Sequence, residues 1–372
     1  MKLRGRIRLS MATVLTLTMM AAAPSTVAAT ERSHSRDKRQ LTVMTQNLYL
    51  GSSLNQAIAA TSASGFVTAV AQIYGTAVAT NFPRRAEAIA ETIAAEEPDL
   101  IGLQEVSRWI AQPTAAGPTP RSYDFLAILR AELVERGLDY RVEAVAENAS
   151  IGPVPLVAPA FGCTTVTPAP SCVVTLQDRD VILVNNDTRR LRVRESRTGH
   201  YVAQEVLQLP NGPATSFARG WAYINGSFEG KKFRFVNTHL EVERYAATQE
   251  AQAQEFLAGP ARTRRAVIAV GDFNSAADPA QESTTTYEQL IAASFKDAWQ
   301  VTQHDDPGAT CCQNSTLTNT TSQLRTRIDL VLTRGPVRVK AADVVGAAPI
   351  SATTPPFWAS DHAGVVATVR LR

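Results

Sequence analysis

Beyond its first thirty residues, the 372-residue chain has no apolar run long enough to cross a bilayer. It has only four cysteines, Cys163, Cys172, Cys311 and Cys312, and no Cys-x-x-Cys spacing, which argues against a structural zinc site. No internal repeat recurs at a useful period, so solenoids and propellers are excluded. No serine or cysteine nucleophile motif is evident. Excess charge is missing too. The formal +3 comes from 37 Lys+Arg against 34 Asp+Glu, but residues 1–29 hold four of the bases and none of the acids. That leaves 33 against 34, a formal −1. A near-neutral chain does not advertise non-specific binding to nucleic acid by bulk charge.

What is present begins with a leader. Lys2, Arg4, Arg6 and Arg8 precede a short apolar segment at 11–23, and Val27-Ala28-Ala29 offers small residues for cleavage. This is the pattern of a secretory signal peptide, with cleavage expected near Ala29 and a secreted, extracellular mature chain. Charged residues 30–40 are expected to be a disordered lead-in. With 45% hydrophobic residues, the rest has ample material for a core. The cysteines suit an oxidising compartment. Cys163 and Cys172 are placed to clip the Pro-rich loop between them. Cys311 and Cys312 either bridge each other or pair elsewhere; four cysteines allow about three connectivities.

The stretch that organises the rest is Val267-Ile268-Ala269-Val270-Gly271-Asp272-Phe273-Asn274. Its apolar half reads as a buried strand, and polar groups follow at once. Asp272 and Asn274 stand two apart, which on extended backbone puts both side chains on one side. The pattern recurs. Asn47 follows strand 41–46, Glu105 follows strand 99–104, and His239 follows strand 233–238. Asp329 lies within strand 328–332, and Asp361-His362 precede strand 364–371. One polar strand end is ordinarily a cap or a turn; a whole set is harder to assign that way. Helices are expected from Pro83 to Pro98 and over 123–136, 246–257 and 287–294, with an Ala-rich helical insertion at 54–79. Further strands are expected at 140–146, 180–184 and 216–224, and loops at 151–172, 275–286 and 301–327. Alternating helices and strands with hairpin-like pairs predict an α/β chain of two packed mixed sheets with helices outside.

The residue types suit one chemistry. Glu105 supplies a hard oxygen ligand for Mg²⁺, and Asn47 can add its side-chain oxygen. Such a cation polarises a phosphoryl oxygen and stabilises a leaving oxygen. His239 and His362 can move protons near neutral pH. Carboxylates and histidines without a nucleophile motif point to attack by activated water.

The segments Gln46-Asn47, Pro98-Asp99-Leu100-Ile101-Gly102-Leu103-Gln104-Glu105-Val106, Asn237-Thr238-His239-Leu240, Gly271-Asp272-Phe273-Asn274, Arg327-Ile328-Asp329 and Ser360-Asp361-His362 resemble, in order, the motifs of the endonuclease/exonuclease/phosphatase superfamily, the DNase I-like fold. The resemblance covers about residues 41–372. It implies a four-layer α/β sandwich and one catalytic domain over 41–372. It implies metal-dependent phosphoester hydrolysis with Mg²⁺, or Mn²⁺ or Ca²⁺ in its place. By that match Glu105 is the main metal ligand, supported by Asn47, with Asp329 near the metal. Asp272 orients or deprotonates the attacking water. Asn274 binds the phosphoryl oxygens, and Arg219 in Arg219-Gly220 lies near the phosphate. Asp361 orients His362, His239 helps protonate the leaving group, and Asp180 orients His239.

The implied partner is a phosphoester, in nucleic acid or a phospholipid head group, and the implied state is a monomer. A secreted phosphodiesterase or nuclease comes first. A sphingomyelinase-like phospholipase or an inositol-type phosphatase is the alternative within the family, and a binding module that has lost activity is the third reading. The chain departs from the family pattern in the long stretch between Asn47 and Pro98 and around Thr310-Cys311-Cys312-Gln313. Both flank motif strands and are placed to shape the cleft rim. Phe357-Trp358, just before Asp361, is expected to be buried packing rather than a stacking or membrane surface.

Overall fold

The computed structural model describes residues 39–372 except 115–120, 167–168, 209–213, 279, 282–283 and 303. The expected leader, and the expected lead-in up to residue 38, lie outside the described residues. Two mixed sheets carry the fold. The first runs in the order Val337–Val345, Gly364–Leu371, Leu41–Asn47, Leu100–Gln104, Cys172–Asn185, Arg108–Pro113 and Arg121–Asp124, and Tyr140–Leu156 also pairs with Cys172–Asn185. The second runs Lys296–Asp297, Asp329–Arg334, Ala266–Asp272, Lys231–His239, Gly220–Phe228 and Leu191–His200.

Strand periodicity builds the layers. Ile268 and Val270 face the space between the sheets with Val43, Leu100, Ile182, Ile224 and Phe235. Val267 and Ala269, one residue out of phase, face outward onto Phe256 and Leu290 of helices Ala246–Ala258 and Thr286–Ala292. Met44, Ile101 and Leu103 do the same on the first sheet, against Ile89 and Ile93 of helix Phe82–Glu96 and Leu129 of helix Phe125–Glu135. Helices, sheet, sheet and helices therefore give the expected four-layer α/β sandwich.

The Ala-rich insertion is helical. Ala63–Ala79 buries Phe66, Ala69, Val70, Ile73, Tyr74 and Ala77, a stripe at helical spacing, and Ser62 caps it by accepting the Gly65 N–H. Helix Phe82–Glu96 follows with Pro83 in its first turn.

Other boundaries moved. The expected loop at 151–172 is partly strand: Tyr140–Leu156 runs on past residue 146 and pairs with Cys172–Asn185 along its length. Register shifts at Glu147/Ser150 and Ile151/Val154 absorb Gly152 and Pro153, which read as breakers in sequence. Cys163 and Cys172 are disulfide-bonded near the end of this arm. Cys311 and Cys312 are bonded to each other. Strand Leu191–His200 gave no apolar alternation because it is a largely exposed edge. Trp358 is buried against Tyr49 and Leu317, as packing.

Between the sheets, the buried Asn237 bonds across the gap. Asn237 Nδ2 donates to the carbonyls of Leu103 (2.9 Å) and Val181 (3.1 Å), on two neighbouring strands of the other sheet. Its Oδ1 accepts from Gln104 Nε2 at 2.6 Å. Gly102 makes the approach possible, since a Cβ there would lie 2.5 Å from Val270 Cγ2 and 2.7 Å from Asn237 Oδ1. Replacing Asn237 with Leu strands a buried amide and removes the cross-link. Asn237→Leu is expected to cost about 2–4 kcal/mol in a urea unfolding titration; a loss under about 0.5 kcal/mol would show the cross-link to be idle.

Candidate active site

Register sets the site. In the second sheet, Asp272 pairs with His239 on one side and Asp329 on the other, so three strand ends present three functional groups in a row. In the first sheet, Asn47 pairs with Gln104, which places Glu105 at the adjacent strand end. Ser360-Asp361-His362 stand just before strand Gly364–Leu371 in the same sheet. Two backbone positions re-aim side chains: Glu105 and Asn274 take left-handed conformations at φ 53° and 50°.

The two sheets meet at Asp272. Its Oδ2 accepts from Asn47 Nδ2 at 3.0 Å and its Oδ1 from the Asn274 N–H at 2.9 Å. The same Oδ2 is 3.5 Å from His239 Nε2 and 3.9 Å from His362 Nε2. Asn274 Nδ2 reaches His239 Nε2 at 3.2 Å, and Arg219 Nη1 lies 3.1 and 3.0 Å from the two His239 ring nitrogens. Arg219 is buried and also pairs with Glu241 at 3.3 Å. Asn47, His239, Asp272, Asn274, Asp329, His362 and Arg219 thus form one connected cluster. Glu105 and Asp361 line the adjoining cleft of about 260 Å³, with Arg219 and Glu241.

Two expected pairings differ. Asp361 is expected to orient His362, but Asp329 does so, with Oδ2 2.8 Å from Nδ1, while Asp361 Oδ1 is 4.0 Å from Nε2. Neighbours on one chain rarely face each other, whereas Asp329 arrives from the opposite sheet with the right direction. Asp180 is expected to orient His239, but its hydrogen bond is from Asn148 Nδ2 at 2.9 Å. Arg219 occupies the place beside His239 instead. Asp178, two residues back on the same strand face, shares Asn148 at 3.4 Å and acts electrostatically on both Glu105 and Arg219. Asp178, Asn148 and Glu241 are site residues that sequence reasoning missed. The period-2 relation of Asp178 to Asp180 was the available signal.

A further missed residue holds the site's walls. Arg85, fully buried on helix Phe82–Glu96, donates to the carbonyls of Leu48 (2.6 Å), Tyr49 (3.3 Å), Thr80 (3.0 Å) and Ala359 (3.0 Å). Leu48 and Tyr49 lie just after Asn47, and Ala359 just before Ser360.

Burial and neighbouring charge set the protonation states. Burial, reinforced by Asp329, raises Asp272 to about 6. Burial and the nearby Asp178 raise Glu105 to about 7. Burial raises Asp361 to about 7 as well, with Glu105 and Asp329 adding to the rise. Burial alone would lower His362, but Asp329, Asp361 and Asp272 outweigh it and hold the imidazole well above its ordinary value. His239 is pushed well below, by burial and by Arg219. One histidine is therefore cationic at neutral pH and the other neutral.

The donor set fits a hard divalent cation. Asp329 Oδ1 and Asp361 Oδ1 are buried without hydrogen-bond partners. Asp272, Asp329 and His362 each bring a ligand atom within 4.8 Å of the others. Glu105 Oε2 is held by the Leu50 N–H at 2.6 Å. Oxygen ligands of this kind suit Mg²⁺, Mn²⁺ or Ca²⁺. Asn47 Oδ1 already accepts the Tyr49 N–H at 2.8 Å, and Asp329 Oδ2 is taken by His362. Glu105 and Asp361 line the open cleft, as do Glu205 and Glu241, but Glu241 is already paired with Arg219 and Glu205 with the Thr248 hydroxyl.

Comparison with known proteins agrees with this geometry. The family model described as endonuclease/exonuclease/phosphatase family matches residues 44–362. No curated protein matches. Among solved structures, a family protein from Bacteroides thetaiotaomicron aligns at 16% identity and TM-score 0.54, covering 90% of this chain and 95% of that one. One from Beutenbergia cavernae DSM 12333 aligns at 21% identity and TM-score 0.53, covering 90% of this chain and 72% of that one. A mannosyl-6-phosphatase of Bacteroides thetaiotaomicron VPI-5482 aligns at 16% identity and TM-score 0.53, covering 88% and 99%. At these identities the likeness is one of fold.

The raised acids make a stability prediction. Glu105 holds its proton more tightly in the fold than its ordinary 4.5, so stability is lost as pH rises from 4.5 toward about 7, and the loss is complete above that. Glu105→Gln is expected to raise the metal-free melting temperature at pH 8 and to flatten this pH dependence. A divalent cation should raise the wild-type melt at pH 8 and leave the variant's nearly unmoved. Equal cation shifts in both proteins would remove Glu105 from the metal site.

Proposed function

Because the chain belongs to the endonuclease/exonuclease/phosphatase family of phosphoric ester hydrolases, we propose that it is a secreted, Mg²⁺-dependent phosphodiesterase. The observation that carries the reading is the meeting of both sheets at Asp272, which Asn47 holds from one sheet and Asn274 positions from its own. In support, the cleft of about 260 Å³ that holds Glu105 and Asp361 is also lined by Leu54 and Gln313, and its volume has room for a phosphorus bearing two ester groups. No described helix is long and apolar enough to cross a membrane.

In this reading Glu105 and Asp361 would hold Mg²⁺, which would neutralise charge on the phosphoryl and leaving oxygens. Asp272, raised to about 6, is an ionised yet basic carboxylate at neutral pH and takes the proton of the attacking water. The water oxygen bonds to phosphorus as the P–O bond to the leaving group breaks. His362, cationic and oriented by Asp329, gives the leaving oxygen its proton from Nε2. This reverses the role expected for His239. Kept neutral beside Arg219, His239 joins Arg219 and Asn274 in holding non-bridging oxygens. Arg219 and His362 supply the positive charge for the anion.

Asp272→Asn keeps the shape and one of the two accepted contacts, from Asn47 or from the Asn274 N–H, but not the base. It is expected to lower turnover of bis(4-nitrophenyl) phosphate about 10²- to 10⁴-fold with a nearly unchanged melt. Wild-type turnover is expected to fall as pH drops through about 6, as Asp272 gains its proton. EDTA should silence the enzyme and Mg²⁺ restore it. Near-normal turnover in the variant, or activity that survives chelation, would overturn the assignment.

Export rests on the leader's composition. Protein recovered from culture medium is expected to start at about Thr30 by N-terminal sequencing; an intact Met1 there would contradict it.

A further inference from the structure

Beside the charged cleft lies a second cavity of about 70 Å³, and every residue that lines it is apolar. One wall is the inserted helical region, with Leu54, Ala57, Ile58 and Val70. The facing wall is the long strand pair, with Val154 and Val174. The cavity adjoins the cleft, since Leu54, Ile58 and Phe217 line both. Phe217 is the corner between them. Its ring lies 5.1 Å from the Arg219 guanidinium on the cleft side and closes the apolar cavity on the other.

The lining decides what can enter. A nucleobase has donors and acceptors around its edge. The one polar side-chain atom among the lining residues, the Trp109 Nε1–H, is taken by the Leu50 carbonyl at 2.8 Å, so each unmatched group of the base costs more than its ring gains. A sugar fares worse. A hydrocarbon has nothing to leave unpaired, and apolar cavities of this kind stay dry and take apolar guests. The volume holds about two or three water-sized groups, which suits part of a chain rather than a fused ring. The mouth is also apolar: Ile58 is 37% exposed beside it.

We infer that this cavity is a hydrocarbon subsite of the hydrolase. The substrate's phosphate rests on Arg219, and one substituent on that phosphate is an alkyl or acyl chain that turns past Phe217 into the cavity. The inference deepens the hydrolase reading, on which it rests for the phosphate position. It assigns a role to the insertion at 54–79. It also names the substrate class as a phosphoester bearing a hydrocarbon group, ahead of nucleic acid.

The test separates the subsite from the chemistry. Kd values for butyl, hexyl and octyl phosphate, kept below micelle-forming concentrations, are measured by calorimetry on the purified protein. Affinity is expected to rise about fourfold per methylene until the cavity fills, then level off. Ala57→Trp and, from the opposite wall, Val154→Trp are expected to flatten the series, with butyl phosphate bound nearly as before. Hydrolysis of methyl, butyl and hexyl 4-nitrophenyl phosphates is followed alongside, and kcat/KM should track the same chain-length dependence. A flat wild-type series, or a steep one unaltered in both variants, overturns the subsite. So does tighter binding of thymidine monophosphate than of hexyl phosphate that the variants abolish. Steep binding that the variants flatten, with no turnover of any ester, supports the subsite and removes the hydrolase reading alone.

Discussion

The amide of Asn237 is the constraint on which the rest depends. Two sheets packed by apolar side chains alone can slide by a residue at modest cost, because packing is not directional. Asn237 removes that freedom. It donates to carbonyls on two adjacent strands of the opposite sheet and accepts from Gln104, and it can do all three in one register only. Gln104 in turn is held by the Thr45 hydroxyl at 3.2 Å. The residues that follow these anchors are Glu105 and, two further on from Asn237, His239. The alignment of the proposed catalytic groups from different sheets thus rests on a hydrogen-bonded junction of fully buried side chains, where such bonds are stronger than in water.

Above that junction, charge is unevenly balanced. Glu105, Asp178, Asp180, Asp272, Asp329 and Asp361 crowd one region, and burial pushes most of their carboxyls upward. Arg219 and the His362 imidazolium answer part of that charge. The rest is a standing demand for a cation. The same crowding explains how two histidines in one cluster differ. His362 is ringed by three carboxylates, whereas His239 has only Asp272 near it and sits against a guanidinium and an amide, both donors. Environment, rather than residue type, assigns the proton.

How much of this was legible in the sequence follows from the range of the interactions involved. Alternation within a strand is local, so the buried runs ending at Asn47, Glu105, His239 and Asp272 could be read directly. Their order along the chain matched one family, and the four-layer fold followed. Pairings across the fold were not legible. Asp361 lies next to His362 in sequence, yet Asp329 makes the bond, because direction is fixed by register with another strand. Asp180 was readable as a buried acid, but its partnership with Asn148 and Asp178 depends on the strand pair between them. Strand Leu191–His200 hid because an exposed edge has no apolar face to signal it. Arg85 hid as one more charged residue on a helix.

Arg85 has a consequence for when the enzyme comes into being. Its carbonyl partners lie about three hundred residues apart in sequence, at Leu48 and Tyr49 on one side and Ala359 on the other. The strand Leu41–Asn47 likewise waits for Gly364–Leu371 to lie beside it. A chain still being synthesised has the guanidinium without its last acceptor, and it lacks Asp361 and His362 altogether. The site as proposed is therefore complete only once Asp361 and His362 have joined the strands that carry Glu105 and Asp272, and a chain cut before Ala359 loses the Arg85 contact as well.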